Sequence, residues 1–165
     1  LELHVDGPED GESQSPIPLS AWGPLGRVLE GELASLYPEI VRYGTVELSV
    51  TLLGPDEMRS VNREYRERDE ATDVLSFPLW EADGRFVPDG ALTELLPLGD
   101  ILICPEEVAR LHEELPPEDA LCLVLAHGFL HLLAWDHDTE ERESAMWARQ
   151  DAVKQRLLDV LRGGL

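Results

Sequence analysis

Residues 121–133 are apolar nearly all the way round, interrupted only by His127, Gly128 and His131. A helix without a polar face has nowhere to lie except between other elements. This stretch therefore commits the chain to a packed domain built around one central helix. A lone histidine in such a helix reads as a core residue bonded to a neighbour. His127 and His131 are two, and at ~100° per residue their rings stand roughly 40° apart on one face, a turn from each other. Burying unpaired imidazoles costs free energy, and a shared cation would remove that cost. His137 follows six residues later, beyond the expected helix end. Three imidazoles with a fourth position open are the ligand set of a catalytic zinc site, whereas a structural site is closed by four protein ligands.

The rest of the chain supplies the surroundings. Residues 1–5 alternate apolar and polar like a half-buried strand, with His4 on the solvated side. Residues 6–18 are rich in Gly, Pro, Ser and acids and read as a surface loop. Leu25, Val28, Leu29, Leu33 and Leu36 recur at helical spacing within 20–37. Val46, Leu48, Val50 and Leu52 form the inward side of a period-2 strand. Pro55 opens a helix at its tolerated first turn, with Met58, Val61 and Tyr65 as its apolar stripe and Arg59, Arg63 and Arg66 beside them.

A short strand at 74–77 closes at Pro78, and 81–97 reads as a long hairpin excursion because it holds Asp-Gly twice, Pro88 and Pro97. Residues 101–103 read as a strand buried on both faces. A helix from Pro105 to about Leu115 carries Val108 and Leu111 inward and leaves His112 exposed beside two glutamates. The central helix starts near Pro117. The last runs from an Asp138 N-cap, with Glu141 three residues on, to about Leu161, and Gly163 and Gly164 form a loose end. The expected fold class is α+β: a single domain over 1–165, with a small mixed β-sheet packed with about five helices around the central buried helix.

The chemistry of three histidines depends on what else is supplied. In the extended zinc-protease motif the residue after the first histidine is a glutamate that serves as general base. Here it is Gly128, so a peptidase would lack its base. Cleaving a phosphodiester makes a different demand. A zinc ion lowers the pKa of water to ~7, and the transition state then needs positive charge more than a carboxylate. Arg66, with its planar fork, suits phosphate oxygens, although it also reads as a solvated helix-end charge. Arg63 with Glu67, and Glu64 with Arg68, have surface-pair spacing; together with Arg59 these arginines could instead line a groove. Asp136 either orients a ligand or shapes the turn before His137.

Charge argues the other way. The chain carries −21 at neutral pH, with twelve arginines and the single lysine Lys154. Such a chain repels nucleic acid at long range, so any RNA must be met by locally placed arginines. Cys104 and Cys122 sit in apolar runs and make no disulfide framework. No apolar run approaches the ~18–20 residues of a membrane span, and the start has no signal-peptide pattern. A soluble cytosolic protein with reduced thiols, without a membrane partner, is expected.

Three motifs extend this reading. Residues 127–137 are H-G-F-L-H-L-L-A-W-D-H, 65–78 are Y-R-E-R-D-E-A-T-D-V-L-S-F-P, and 99–104 are G-D-I-L-I-C. In their order along the chain they resemble the YbeY family, whose signature is H-G-x-L-H-L-x-G-Y-D-H; the likeness runs from about residue 46 to the end. It implies a zinc-dependent, single-strand-specific endoribonuclease acting in 16S rRNA 3′-end maturation and late 70S ribosome quality control. By the same likeness the partners are single-stranded rRNA and ribosomal particles, the small subunit among them, and the location is cytoplasmic. One zinc ion per chain would sit on His127, His131 and His137, though nickel or another divalent metal also suits three imidazoles. Arg66 and His127 would be the catalytic residues. Asp73 and Ser76 match family positions and are expected at the cleft, Ser76 reading equally as a strand-end hydroxyl satisfied by backbone. Two alternatives stand beside this: a non-catalytic, metal-stabilised ribosome-assembly factor that binds RNA, and a metallopeptidase. Ala134 and Trp135 replace the family's glycine and tyrosine. Either Ala134 stays helical and the turn falls later, or it adopts positive φ at a cost of roughly 1 kcal/mol.

Overall fold

In chain order the elements are β1 (Glu2–Asp6), α1 (Trp22–Leu36), β2 (Thr45–Leu52), α2 (Pro55–Arg66), β3 (Val74–Pro78), β4 (Glu81–Ala82), β5 (Arg85–Phe86), β6 (Leu95–Ile103), α3 (Pro105–Leu111), α4 (Pro117–Leu132) and α5 (Glu140–Gly163). The computed structural model describes residues 2–6, 15–92 and 94–163, without the Leu3 side chain. Residues 7–14 of the loop expected at 6–18, and the end at Gly164, lie outside the described residues.

Alternation in β2 works as the sequence implies: Val46, Leu48, Val50 and Leu52 are buried, while the residues between them are half-buried on the opposite face. The sheet order is β1-β2-β6-β3, with β1 and β6 parallel to β2 and β3 antiparallel to β6. One face carries the main core, built with α1, α4 and α5. The other carries a smaller cluster in which Met58 of α2 meets Leu75 and Cys104. The mixed sheet, the five helices and the buried central helix are those expected from the sequence.

β6 differs from the expectation. It begins at Leu95 rather than near Ile101, and it takes in Pro97, a residue that argues against a central strand. The physical reason is a bulge: Glu47 pairs with Pro97 and Leu48 with Gly99, so Leu98 is the extra residue. An extra residue shifts side-chain parity by one. It thereby brings Leu96 and Leu98 to the same core as Ile101 and Ile103, all four with no solvent exposure. Gly99 has φ +132°, and a Cβ there would collide with the Phe77 carbonyl, so the bulge needs glycine.

Smaller corrections follow from long-range packing. Tyr65 is exposed, its ring edge-on to Phe77; the buried place on α2 goes to Asn62, whose Nδ2 donates to the Glu70 carbonyl at 2.8 Å. α3 stops at Leu111, which is exposed. The N-cap of α5 is Thr139, not Asp138: the Arg142 N–H donates to Thr139 Oγ1 at 3.1 Å, while Asp138 pairs with the Arg142 guanidinium. A hydroxyl on the residue just before the first turn reaches that donor better than a carboxylate one residue earlier.

Candidate metal centre

α4 is held by its apolar surround, and its histidines point where that packing leaves room. Gly128 explains how closely the helix can lie: a Cβ there would come within 2.9 Å of Ile101 Cγ2 on β6 and 3.4 Å of Val74 Cγ2 on β3. The glycine that removes the protease base is thus also where the helix touches the sheet.

His127 and His131 face each other, with ring centroids 4.4 Å apart and Nε2 atoms 2.9 Å apart. Each ring is fixed from behind. His127 Nδ1 meets Gln150 Oε1 at 2.7 Å, and His131 Nδ1 meets the Trp135 carbonyl at 2.8 Å. Both partners are acceptors, so both Nδ1 atoms carry the proton and both Nε2 atoms carry lone pairs. Two lone pairs at that distance repel unless a proton or a cation stands between them. Protonation is disfavoured, because burial holds His131 down to about 4, with His127 adding to the effect. Burial also lowers the pKa of His127, against the Gln150 hydrogen bond that raises it. The donor set therefore fits a divalent cation of the kind imidazoles bind.

The third ring arrives by a defined bend. Ala134 has φ +66°, its N–H donates to the His131 carbonyl and the Trp135 N–H to the Leu130 carbonyl, each at 3.0 Å. This is the Schellman arrangement with Ala134 in the position that favours glycine. Of the two conformations open to Ala134, the strained one is adopted. Asp136 Oδ1 then accepts the His137 N–H at 2.7 Å, which makes it a turn former rather than a ligand-orienting group. His137 lies 5.6 Å from His127 and 5.3 Å from His131 between ring centroids, and one ligand atom from each ring falls within 4.8 Å of the others.

Arg66 is placed by β3. Its Nη2 donates to the Ser76 carbonyl at 3.1 Å and its guanidinium lies 5.8 Å from the Phe77 ring centre, on the strand that packs against α4. No carboxylate pairs with it among the described residues. Arg59 and Arg63 instead close on Asp69, at 2.9 and 3.7 Å, and the surface pairs expected with Glu67 and Glu64 are not those formed. Ser76 is buried and contributes its carbonyl. Asp73 accepts from Val74 N–H and Thr72 Oγ1, and its other oxygen lies 2.9 Å from His112 Nε2. His112 is therefore half-buried and partnered, not exposed as expected, because a residue 39 positions away comes to meet it.

Two α5 residues complete the centre and were not singled out from sequence. Trp147 lies 5.8 Å from His127 and 5.4 Å from His137, and Gln150 orients His127. The signal for Gln150 was present: it shares a helical stripe with the buried Met146, Val153 and Leu157, and a polar residue on an apolar stripe needs a partner.

An α+β domain whose buried helix and following bend converge three imidazoles has the donor set of a mononuclear three-histidine metal protein. Residues 27–158 match the family model described as Endoribonuclease YbeY. Endoribonuclease YbeY of Halalkalibacterium halodurans is 35% identical over 133 residues, spanning 73% of this chain and 81% of that one. The protein of the same description from Staphylococcus epidermidis is 38% identical over 113 residues, 67% and 72% of the two chains. That of Staphylococcus aureus is 40% identical over 109 residues, 65% and 70%. The solution structure of TM1509 from Thermotoga maritima matches with a TM-score of 0.61 and 26% identity, over 98% of this chain and 93% of that one. The chain belongs to the Endoribonuclease YbeY family.

Proposed function

We propose that this protein is a zinc-dependent endoribonuclease that cuts single-stranded rRNA, in 16S 3′-end maturation and late 70S quality control, on ribosomal particles in the cytoplasm. Family membership supports the reaction class, endonucleolytic hydrolysis of RNA. The observation that carries the metal dependence is the pair of Nε2 lone pairs 2.9 Å apart, each ring fixed by an acceptor behind it, with His137 beside them; the rRNA substrate, its place in maturation and the cytoplasmic location rest on the family resemblance. No helix among the described residues is long and apolar enough to cross a membrane.

His127, His131 and His137 would hold the ion. When bound, a zinc ion supplies Lewis acidity, making water a stronger acid and polarising a phosphoryl oxygen. Gln150 and the Trp135 carbonyl keep the protons on Nδ1, so neither ring needs to lose a proton to act as a ligand. Arg66, without a carboxylate partner among the described residues, offers its fork to the charge that develops on phosphate oxygens. The peptidase reading still lacks its base, since Gly128 has no side chain and a Cβ there would press on Ile101.

The test is cleavage of a labelled single-stranded RNA by zinc-loaded protein, by the same protein after chelation, and by His127→Ala. Cleavage should be lost in the last two and restored to the chelated sample by zinc. Equal cleavage in all three would end the proposal.

A further inference from the structure

Beside the metal centre, on the other elements that meet the bend, lies a cleft of about 440 Å³. That is within the ~300–1,000 Å³ typical of small-ligand sites. Tyr37, Phe86 and Trp135 give it aromatic walls; Arg85, Arg142 and Asp136 give it charge. We infer that this cleft is a nucleotide subsite, in which a base of single-stranded RNA stacks on the aromatic walls while Arg85 takes the neighbouring phosphate. The inference rests on the proposed nuclease function and specifies where its substrate is held.

Arg85 is the residue that turns an aromatic hollow into a site for a nucleotide. Seven of the chain's twelve arginines are paired with carboxylates among the described residues. Arg142 is one of these, held by Asp138. The Arg85 guanidinium has no hydrogen-bond or ion-pair partner among the described residues, although the chain carries 34 acids. A cation left unpaired amid so much negative charge is available to an anion from outside.

Its backbone is placed by a tight hairpin. β4 and β5 pair as Glu81 with Phe86 and Ala82 with Arg85, and the two-residue loop Asp83–Gly84 has φ +51° and +74°. Positive φ at both positions is what a tight hairpin turn requires, and Asp-Gly supplies it with little strain. Trp80 ties the base of the hairpin down, accepting from the Val87 N–H through its carbonyl and donating from Nε1 to the Pro97 carbonyl. Phe86 meets the Tyr37 ring edge-on at 4.9 Å, so the aromatic wall is formed in advance. Aromatic faces with an adjacent cation are how sequence-tolerant single-strand sites are built. A duplex, whose bases are already stacked, could not use the walls. The cleft is coupled to the metal centre through the bend: the Trp135 carbonyl faces His131, while Trp135 and Asp136 line the cleft.

The test uses the full chain and a 5′-fluorescein-labelled single-stranded RNA decamer. Binding is read by anisotropy in chelator and cleavage is read separately with zinc, for wild type, Arg85→Ala, Arg85→Lys and Phe86→Ala. Both alanine variants should weaken binding about five-fold or more. They should raise KM by the same factor and leave kcat little changed. Arg85→Ala should also reduce the slope of log Kd against log salt by about 0.7, the contribution of one single-strand phosphate contact, and Arg85→Lys should restore that slope. Unchanged Kd and slope in both alanine variants would overturn the subsite, and the nuclease reading would stand if wild type still cut. A wild type that binds with the predicted variant pattern but never cuts would support the subsite and overturn the nuclease reading. A wild type that does not bind would overturn both.

Discussion

Ala134 is where a single side chain decides between local strain and long-range geometry. Its φ of +66° lets the chain turn so that His137 meets the other two rings, and the family's glycine would adopt the same conformation without a Cβ penalty. Ala134→Gly should raise the unfolding free energy by ~0.5–1 kcal/mol, the relief of strain being partly offset by glycine's looser unfolded chain. Urea denaturation of the metal-free protein measures this, and a loss of stability would mean that the methyl's packing outweighs the strain. His131 makes a second residue-scale prediction. Unfolded, its ring takes a proton near the ordinary 6.5; folded, burial delays this to about 4. Between those values the unfolded chain binds more protons, so the contribution is complete above pH 6.5 and is lost as pH falls toward 4. Many carboxylates titrate in the same window, so the quantity to follow is a difference. The stability of metal-free wild type minus that of His131→Asn should shrink from pH 7 to pH 5, and a flat difference would contradict the buried neutral ring.

At the scale of elements, the contact between α4 and the sheet controls how the centre is held. Gly128 costs helix propensity of ~1 kcal/mol relative to alanine, yet a Cβ there would press on Ile101 Cγ2, which its β-branched side chain cannot easily swing away. Overpacking of this kind costs ~1–3 kcal/mol. Gly128→Ala should therefore destabilise the protein despite the better helix former, as read from the thermal midpoint; a gain would show that the helix can back off. The same contact marks the limit of what the sequence disclosed. The three histidines were legible because four- and six-residue spacings are local. The period of β2 and the uniform apolarity of α4 were legible for the same reason. What joins residues distant in sequence was not: Gln150 behind His127, Asp73 on His112, and Ile101 under Gly128 are all products of packing. Pro97 misled because a proline speaks against a central strand, and only the bulge at Leu98 reconciles the two.

For the whole molecule the governing quantity is the excess of acids, 34 against 13 basic residues. Salt acts on this in two opposing ways. It screens the mutual repulsion of the uncompensated carboxylates, which stabilises the compact state, and it weakens the ion pairs, which destabilises it. The pairs are mostly exposed, such as Arg59–Asp69 and Arg110–Glu107, and exposed pairs contribute little. The exception is Glu32, a buried carboxylate held by Arg156 and Arg149, whose guanidinium groups still reach solvent. Repulsion should therefore be the larger salt-sensitive effect. The thermal midpoint of the metal-free chain should rise as KCl is increased from about 0.01 to 0.5 M, a change that shortens the screening length from ~30 Å to less than 10 Å. If instead the midpoint fell, the ion pairs would outweigh the acid surface, and the net charge would have to be treated as a solubility feature with little bearing on how firmly the domain holds its histidines in place.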